Sequence, residues 1–95
     1  MLIKIIRFQS TLSREEVFKV AEERKPRFLE VPGLLEKYYV VLKEPDHYGG
    51  IYVWEDADSL AAYDRSDLAA SIPEAYKVVG KPEVEILDVL MPLRD

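Results

Sequence analysis

The first residues of the chain alternate between two hydrophobic faces of an extended segment. Residues 2–8 (LIKIIRF) are rich in β-branched side chains and form too short a run for a typical helix, so they predict a strand. Alternation along this strand places Ile3 and Ile5 on one face. Leu2, Ile6 and Phe8 then share the other face. Both faces of the predicted strand are therefore hydrophobic.

A helical pattern follows this strand. Ser13 is a residue type that caps helices, and Glu16 stands three positions later, where its side chain completes a capping box. Pro26 lacks an amide hydrogen and clashes with the preceding turn, so we expect the helix to kink or restart there. The residues that we expect to face the core share a helical spacing: Val17, Val20 or Ala21, and Phe28.

Three later hydrophobic runs predict the remaining strands. Residues 34–42 and 50–55 are aromatic and β-branched, and the turn-forming residues between them predict a hairpin. Capping residues directly after the second run predict a second helix, which is followed by one or two broken helical turns. Residues 84–90 predict the last strand, because Gly80 and Pro82 interrupt the chain before it.

The order of these elements predicts an α+β fold. It is the ferredoxin-like βαββαβ order, with a four-stranded antiparallel sheet in a single domain that spans residues 1–95. Two helices cover only one face of such a sheet, yet the third strand carries Tyr52 and Trp54 on one face and β-branched residues on the other. An uncovered hydrophobic face of this size requires a partner. We expect a homodimer through sheet-to-sheet packing, and a monomer with a hydrophobic surface is the alternative.

Composition and charge exclude several classes of function. The net charge of −5 opposes nucleic-acid binding, because affinity for phosphates comes largely from lysine and arginine. Residues 50–54 faintly resemble a strand of RNA-recognition domains, but the acidic residues 55–58 that follow would repel RNA. The chain has no cysteine and no hydrophobic run near the ~18 residues of a membrane span, so we expect a cytoplasmic protein without membrane contact. Depletion of asparagine and glutamine favours a thermophilic source.

Aromatic and basic side chains on the predicted sheet are candidates for ligand binding. Tyr52 and Trp54 share a face of the third strand. Either Tyr38 or Tyr39 of the neighbouring strand joins them, since the strand register cannot be read from the sequence. Such a group suits a flat aromatic ligand, and packing in the core or in an interface is the alternative. Lys37 shares the face of Tyr39, where a cation could stabilise a phenolate or enolate; a solvated lysine is the alternative.

Two further residues are candidates for catalysis. His47 is the only histidine, and histidine is the side chain that ordinarily changes charge near neutral pH, although a turn position also suits a simply solvated residue. Tyr63 on the second helix could donate a hydrogen bond into a cleft or pack in the core. The sequence has no spacing of histidine or carboxylate residues that is typical of a metal site, so we expect no metal.

Three segments together resemble a known family. Residues 32–39 (PGLLEKYY), 49–56 (GGIYVWED) and 61–63 (AAY) are similar to parts of the YdhR-like monooxygenases, within the antibiotic-biosynthesis-monooxygenase superfamily. The resemblance extends over residues 2–92 and implies a dimeric α+β barrel. It also implies a pocket between sheet and helices that in some relatives oxidises an aromatic or quinol substrate without metal or flavin. Tyr63 could match an aromatic residue of haem-degrading relatives, but no histidine follows it, which disfavours haem degradation.

The residues and the resemblance together predict a cofactor-independent monooxygenase, or a related enzyme, that acts on an aromatic or quinol-like compound in a cleft. A non-catalytic domain that binds a small aromatic or apolar ligand in the same cleft is the alternative, because no assignable base accompanies these residues. We expect no cofactor. The predicted catalytic residues are Lys37, Tyr63 and His47, and the predicted ligand-binding residues are Tyr39, Tyr52 and Trp54.

Overall fold

The computed structural model describes residues 1–94 and contains one four-stranded antiparallel sheet with helices packed on one face. The elements in chain order are β1 (Leu2–Ser10), α1 (Arg14–Leu29), β2 (Leu34–Val41), β3 (His47–Trp54), α2 (Ala57–Asp64), α3 (Asp67–Ala70), α4 (Ile72–Ala75) and β4 (Val78–Asp88). The strand order β2-β3-β1-β4 is ferredoxin-like, which confirms the predicted fold class. None of the helices described in this range is long and apolar enough to cross a membrane.

The start of α1 follows the predicted capping box. The Ser13 side chain accepts a hydrogen bond from the Glu16 backbone N–H at 3.2 Å, and the Glu16 carboxylate accepts one from the Ser13 backbone N–H at 2.9 Å. Ala21 and Phe28 of the predicted core stripe are buried. The local sequence therefore fixes both where this helix begins and which side of it packs on the sheet.

The restart of the first helix that was one expectation for Pro26 does not occur. Helix α1 continues past Pro26 to Leu29. Proline removes the usual hydrogen bond to the carbonyl four residues earlier, which here belongs to Glu22. Both Glu22 and Pro26 lie on the exposed side of the helix, where water can satisfy that carbonyl.

Strand β3 begins at His47, three residues before the predicted start at Gly50. The extra length comes from pairing with β1, in which Phe8 lies opposite Tyr48. The turn is shorter than predicted as a result, and Asp46 adopts a φ of 64° within it. A long neighbouring strand supplies hydrogen-bonding partners that the turn-like local sequence does not reveal.

Strand β4 also begins earlier than predicted, at Val78, and includes Gly80 and Pro82. Strand β1 pairs with Glu83 and next with Val79, so the residues between them form a bulge. Gly80 has a φ of 72° in this bulge. A bulge is one of the few places where a strand accommodates both glycine with positive φ and proline.

The core lies between the sheet and the helices and is mainly aromatic. Trp54 has no exposed surface, and Tyr52 is 2% exposed. Their rings are nearly parallel, at 5°, with centroids 6.1 Å apart. The Tyr63 ring of α2 lies 5.6 Å from the Tyr52 ring and 5.2 Å from the Trp54 ring. Tyr52 and Trp54 therefore face the helices and not the open side of the sheet.

A close contact joins the turn before β2 to the start of α2. Gly33 has a φ of 79°, a conformation that favours glycine, and the Ser59 side chain occupies the space that a Cβ would need. The Glu55 backbone N–H donates to the Gly33 carbonyl at 2.8 Å. The Asp56 carboxylate then caps α2 by accepting from the Ser59 backbone N–H at 2.8 Å.

The opposite face of the sheet has no helix over it in residues 1–94. The ion pair between Arg7 and Glu85, at 3.2 Å, lies on this face. As predicted, the two faces of the sheet are both hydrophobic, although the helices cover only one. The hydrophobic side chains of this uncovered face come from all four strands: Ile3 and Ile5, Tyr38, Ile51 and Val53, and Leu87.

Candidate functional site

A cleft of about 570 Å³ lies between α1 and the helix-facing side of β2 and β3. This volume is within the range of small-molecule sites, and a mostly apolar lining with a few polar groups is typical of them. Most of the residues that line the cleft are hydrophobic or aromatic and come from strands and helices alike, among them Phe8, Val17, Ala21, Tyr39, Tyr52, Ile72 and Tyr76.

The strand register places Lys37 beside Tyr52 in the lining of this cleft. After a bulge near the start of β2, Lys37 lies opposite Tyr52, and Tyr39 lies opposite Gly50. Tyr39 therefore joins Tyr52 on the cleft side, whereas Tyr38 lies on the uncovered face. This answers the question of register that the sequence left open.

Gly50 provides the space that the Lys37 side chain and the Tyr52 ring need. A Cβ atom at Gly50 would lie 3.1 Å from Cε1 of Tyr52 and 3.5 Å from Cε of Lys37. Both side chains lean over this glycine. A larger residue there would crowd the rings around the lysine, so Gly50 belongs to the site although it carries no functional group.

Three aromatic rings surround the amino group of Lys37. Its Nζ atom lies 3.5 Å from the ring centroid of Phe28, 4.4 Å from that of Tyr39 and 4.6 Å from that of Tyr52. Such rings attract a cation, but each contact contributes only about 0.5–2 kcal/mol. Burial, together with the positive charges of Arg24 and Lys4, lowers the pKa of Lys37 to about 7.

No carboxylate of residues 1–94 lies within ion-pair distance of the Lys37 amino group. The adjacent Glu36 carboxylate instead accepts a hydrogen bond from the backbone N–H of Lys37 at 2.9 Å. The amino group thus has neither full hydration nor a counter-ion. Loss of both is the condition under which a lysine gives up its proton near neutral pH.

Tyr52 and Tyr63 form a buried pair of phenols next to the lysine. Their hydroxyl oxygens are 3.4 Å apart. Burial raises the pKa of both tyrosines above the ordinary value of a phenol. Both hydroxyls therefore stay protonated at neutral pH and serve as hydrogen-bond donors.

Tyr76 is a site residue that the sequence analysis missed. It lines the cleft, and its buried hydroxyl has no hydrogen-bond partner among residues 1–94. Burial is the main reason that the pKa of Tyr76 is raised to about 12. The residue lies in the broken helical segment before β4, where no pattern distinguished it from other aromatics. Tyr76 therefore contributes to the cleft wall, whereas its hydroxyl is enclosed.

Arg24 is a second residue that the sequence analysis missed. Its Nη2 atom donates to the Leu68 carbonyl at 3.3 Å and to Ser71 Oγ at 2.9 Å, which holds α1 against α3 and α4. The guanidinium carbon lies 5.8 Å from the Phe28 ring centroid and 6.0 Å from the Tyr76 ring centroid. A signal for it was present, because position 24 continues the helical spacing of the core stripe.

A smaller cavity of about 200 Å³ lies on the other side of Tyr52. It shares the side chains of Ile6, Phe8, Tyr52 and Ile72 with the main cleft. Lys4 borders it, but this lysine forms an ion pair with Asp64, with 2.7 Å between Nζ and the carboxylate oxygen. The two lysines beside Tyr52 therefore have different electrostatic partners.

Three of the predicted site residues are not among those that line the cleft. Trp54 is fully buried beside Tyr52, and Tyr63 borders only the smaller cavity. His47 lies at the hairpin, where its Nδ1 atom is 2.8 Å from the Pro45 carbonyl oxygen. Within residues 1–94, no group of three or more histidine, aspartate or glutamate side chains is placed to hold a metal ion. The cleft itself brings together Lys37, Tyr39 and Tyr52.

The fold is similar to those of several solved structures. The oxygenase SnoaB from Streptomyces nogalater, which is described as cofactor-independent, superposes with a TM-score of 0.76 at 18% identity over 99% of this chain and 97% of that one. A proposed antibiotic biosynthesis monooxygenase from Deinococcus radiodurans gives a TM-score of 0.75 at 12% identity over 100% and 98%. The protein NE2512 from Nitrosomonas europaea, of unknown function, gives 0.78 at 15% over 96% and 90%.

These likenesses concern the fold. Several other structural neighbours are described as proposed antibiotic biosynthesis monooxygenases. No family model matches the chain, and no curated protein matches it in sequence. One fold hosts many chemistries, so function has to be argued from the cleft and its residues.

Proposed function

We propose that the cleft binds a flat, electron-rich aromatic compound, such as a phenol or quinol, and that the protein oxidises it with dioxygen as a cofactor-independent monooxygenase. The observation that carries this proposal is the Lys37 amino group, which lies among aromatic rings without a carboxylate partner. The description of SnoaB as a cofactor-independent oxygenase supports it, because that protein has the same fold.

Substrate binding uses the aromatic walls of the cleft. Tyr39 is 40% exposed, so its ring is available for stacking with a flat ligand, whereas Tyr52 forms the buried floor. Tyr76 adds a further aromatic side chain to the wall of the cleft. Tyr63 acts as a positioning residue, because its hydroxyl contacts that of Tyr52 and not the cleft.

Lys37 performs the proton transfer. With a pKa of about 7, a large fraction of this lysine carries a neutral amine at neutral pH. The neutral amine accepts the proton of the substrate hydroxyl. The resulting ammonium group then lies beside the phenolate, and their attraction is stronger in a cleft that excludes water than in bulk solvent.

Deprotonation prepares the substrate for reaction with dioxygen. A phenolate is richer in electrons than a phenol and therefore gives an electron to dioxygen more readily. The substrate supplies all the electrons: one oxygen atom enters the substrate, and the other leaves as water. The ammonium group that Lys37 carries after this proton transfer also stabilises the negative charge that dioxygen acquires.

Oxygen consumption with a panel of phenols and quinols tests this function. We expect turnover by the parent protein to increase as the pH rises through about 7, because the neutral amine is the active form. Lys37→Met should lower kcat by about 10²-fold or more, the usual contribution of a general base, while the ligand still binds. Lys43→Met removes an exposed lysine outside the cleft and serves as the matched control.

The same experiment separates the two hypotheses of function. Binding of the aromatic panel without oxygen consumption would support the alternative, a domain that binds such ligands but does not oxidise them. Oxygen consumption that Lys37→Met leaves unchanged would contradict the proposed base. If no aromatic compound of the panel bound the cleft, both hypotheses would be contradicted.

We also propose that the uncovered sheet face pairs with a second copy of the chain. Hydrophobic side chains from all four strands lie there, and Leu87 and Tyr38 are 43% and 55% exposed. The residues after β4 add exposed hydrophobic side chains, of which Leu90 is fully exposed. A contiguous apolar surface of this kind is typical of a subunit interface.

Sedimentation tests the proposed homodimer. We expect a dimer at micromolar concentration, and Ile51→Glu should give a monomer because it buries an unpaired charge in the interface. Leu29→Glu makes the same kind of change at the exposed end of α1 and should leave the dimer intact. A parent protein that sediments as a monomer would rule the interface out.

A further inference from the structure

The amino group of Lys37 is placed for a second kind of chemistry that needs no oxygen. A neutral amine is a nucleophile as well as a base, and lysines in desolvated pockets or beside other cations form imines with carbonyl compounds. Lys37 meets the structural conditions for this reaction. The residue lines a cleft large enough for a ligand, and its Nζ atom lies 3.5 Å from the ring centroid of Phe28 and 4.4 Å from that of Tyr39.

We propose that Lys37 is a nucleophile that captures aromatic aldehydes and ketones as imines in the cleft. The nitrogen lone pair attacks the carbonyl carbon and gives a carbinolamine, which then loses its hydroxyl group as water. The products are one imine and one water molecule, and the amine hydrogens leave with that water and with solvent. No oxidant or reductant takes part, so this activity is independent of the proposed oxygenation.

The charges around Lys37 favour the nucleophilic form. The groups that face it are Tyr39 on its own strand, Tyr52 on β3, Lys4 on β1 and Arg24 on α1, and none of them is an anion at neutral pH. The two cations disfavour a third positive charge. The acidic side chains among the cleft residues, Glu22 and Glu36, lie in exposed positions where water screens them.

The cleft also suits the product. An aryl imine is flat, and the rings of Phe28, Tyr39 and Tyr52 offer it apolar surfaces around the nitrogen. Tyr76 adds another aromatic side chain to the wall of the cleft.

Lys25 provides an internal control within the same cleft. It also lines the cleft but lies on the exposed side of α1, where water solvates its amino group. Any carbonyl compound that occupies the cleft is near both lysines. Proximity alone would therefore modify both, whereas a nucleophile created by burial would concentrate the modification on Lys37.

Reductive trapping tests the proposal. The intact protein is incubated under nitrogen at about pH 7 with 2-naphthaldehyde and sodium cyanoborohydride, and the modified lysine is identified by peptide mass spectrometry. We expect Lys37 to be modified at least about tenfold faster than Lys25 or Lys43, because the burial that favours the neutral amine is found at Lys37, whereas the other two lysines are exposed. The rate at Lys37 should reach half its maximum near the pKa of about 7.

Two outcomes would overturn the inference. Equal modification of Lys37 and Lys25 would mean that proximity alone drives the reaction, and no excess at Lys37 over Lys43 would mean that its amine is ordinary. Lys37→Arg keeps a cation but forms no imine, so it should abolish the excess adduct. The main comparison is made on the parent protein under nitrogen, so trapping at Lys37 without oxygen consumption in air would support imine formation and contradict the proposed monooxygenase.

Discussion

Two lysines flank the same tyrosine in this sheet, and they differ in nearly every other respect. Lys4 on β1 and Lys37 on β2 both lie opposite Tyr52, one on each side of β3. Lys4 forms an ion pair of 2.7 Å with Asp64 at the end of α2. Lys37 has no such partner. Its Nζ atom contacts the Phe28 ring of α1, and the residue lines the cleft between α1 and the sheet.

The difference shows how one layer of aromatic residues serves two purposes. On one side of Tyr52, which we call the sealed side, α2 covers the sheet. Lys4, Trp54 and Tyr63 lie there, the charge of Lys4 is paired with Asp64, and the two aromatic rings fill the core. On the other side of Tyr52, which we call the open side, the cleft separates α1 from β2. Lys37 and Tyr39 line this cleft, and the Lys37 amino group has no carboxylate partner among residues 1–94. The same residue types stabilise the fold on one side and are available to a ligand on the other.

The largest expected effect is on the sealed side. Trp54→Ala should lower the free energy of unfolding by about 3–5 kcal/mol, because it leaves a cavity in a fully buried aromatic cluster. Urea unfolding monitored by far-ultraviolet circular dichroism measures this loss. The folded fraction should still bind an aromatic ligand in the cleft with little change in affinity. A strong loss of affinity with unchanged stability would reverse the assignment of the two sides.

The next effect concerns the charge of Lys37. Its folded pKa of about 7 lies below the value of about 10.4 for an unfolded lysine, so the unfolded chain binds more protons between these values. Stability should therefore rise with pH across this window, by about 1 kcal/mol per pH unit from this group alone. Lys37→Met should remove that slope and be more stable than the parent protein near about pH 7.

Urea unfolding of both proteins at several pH values in this window checks the slope. The comparison of parent and variant cancels the contributions of other titrating groups. Lys43→Met, which changes an exposed lysine, should keep the parent slope. Identical slopes for all three proteins would show that Lys37 titrates as an ordinary lysine and that the two sides do not differ in charge.

A smaller effect should follow when Lys4 loses its partner. Asp64→Asn should lower the free energy of unfolding by about 1 kcal/mol or less, because the Asp64 side chain is 45% exposed. The Lys4 side chain is only 12% exposed and would then lack an anion, as Lys37 does. Its rate of acetylation near about pH 7 should rise toward that of Lys37.

The control for this change is the ion pair on the uncovered face. Glu85→Gln breaks the contact with Arg7, whose side chain is 39% exposed, and should leave the acetylation rate of Lys4 unchanged. An unchanged rate at Lys4 in Asp64→Asn as well would show that burial alone, and not the missing carboxylate, separates the two lysines.

The smallest effect on stability should come from Tyr39→Ala on the open side. Tyr39 is 40% exposed, so the free energy of unfolding should change by less than about 1 kcal/mol. Affinity for a flat aromatic ligand should fall by about two- to tenfold, the range expected for loss of one stacking contact. Leu35→Ala, which removes another exposed side chain of β2 outside the cleft lining, is the control and should leave affinity unchanged in a ligand titration.

Much of the fold was readable from local sequence because its signals are short-range. The capping box of Ser13 and Glu16 fixes the start of α1 through side chains that are only three residues apart. Alternation along β1 identified the two faces of the sheet, since a strand has a period of two. The predicted strand starts were less accurate, because β3 and β4 gain their first residues by pairing with β1 across the sheet.

The candidate site was only partly readable. Side-chain alternation placed Lys37 with Tyr39 on one face of β2, but nothing local shows that both lie beside Tyr52. Tyr76 and Arg24 were missed because their importance comes from contacts between distant elements. Trp54 resembles Tyr52 in the sequence, yet its ring is enclosed and does not line the cleft.

The sequence by itself determined the order of the elements, the hydrophobic faces of the strands and the residue types available for chemistry, because these depend on neighbours along the chain. Tertiary structure alone decided which charges meet. Lys4 and Lys37 each lie inside a predicted strand and fold close to aromatic rings, but the fold brings the Asp64 carboxylate only to Lys4. Desolvation and pairing act through space, so only the folded chain determines which lysine loses its proton near neutral pH.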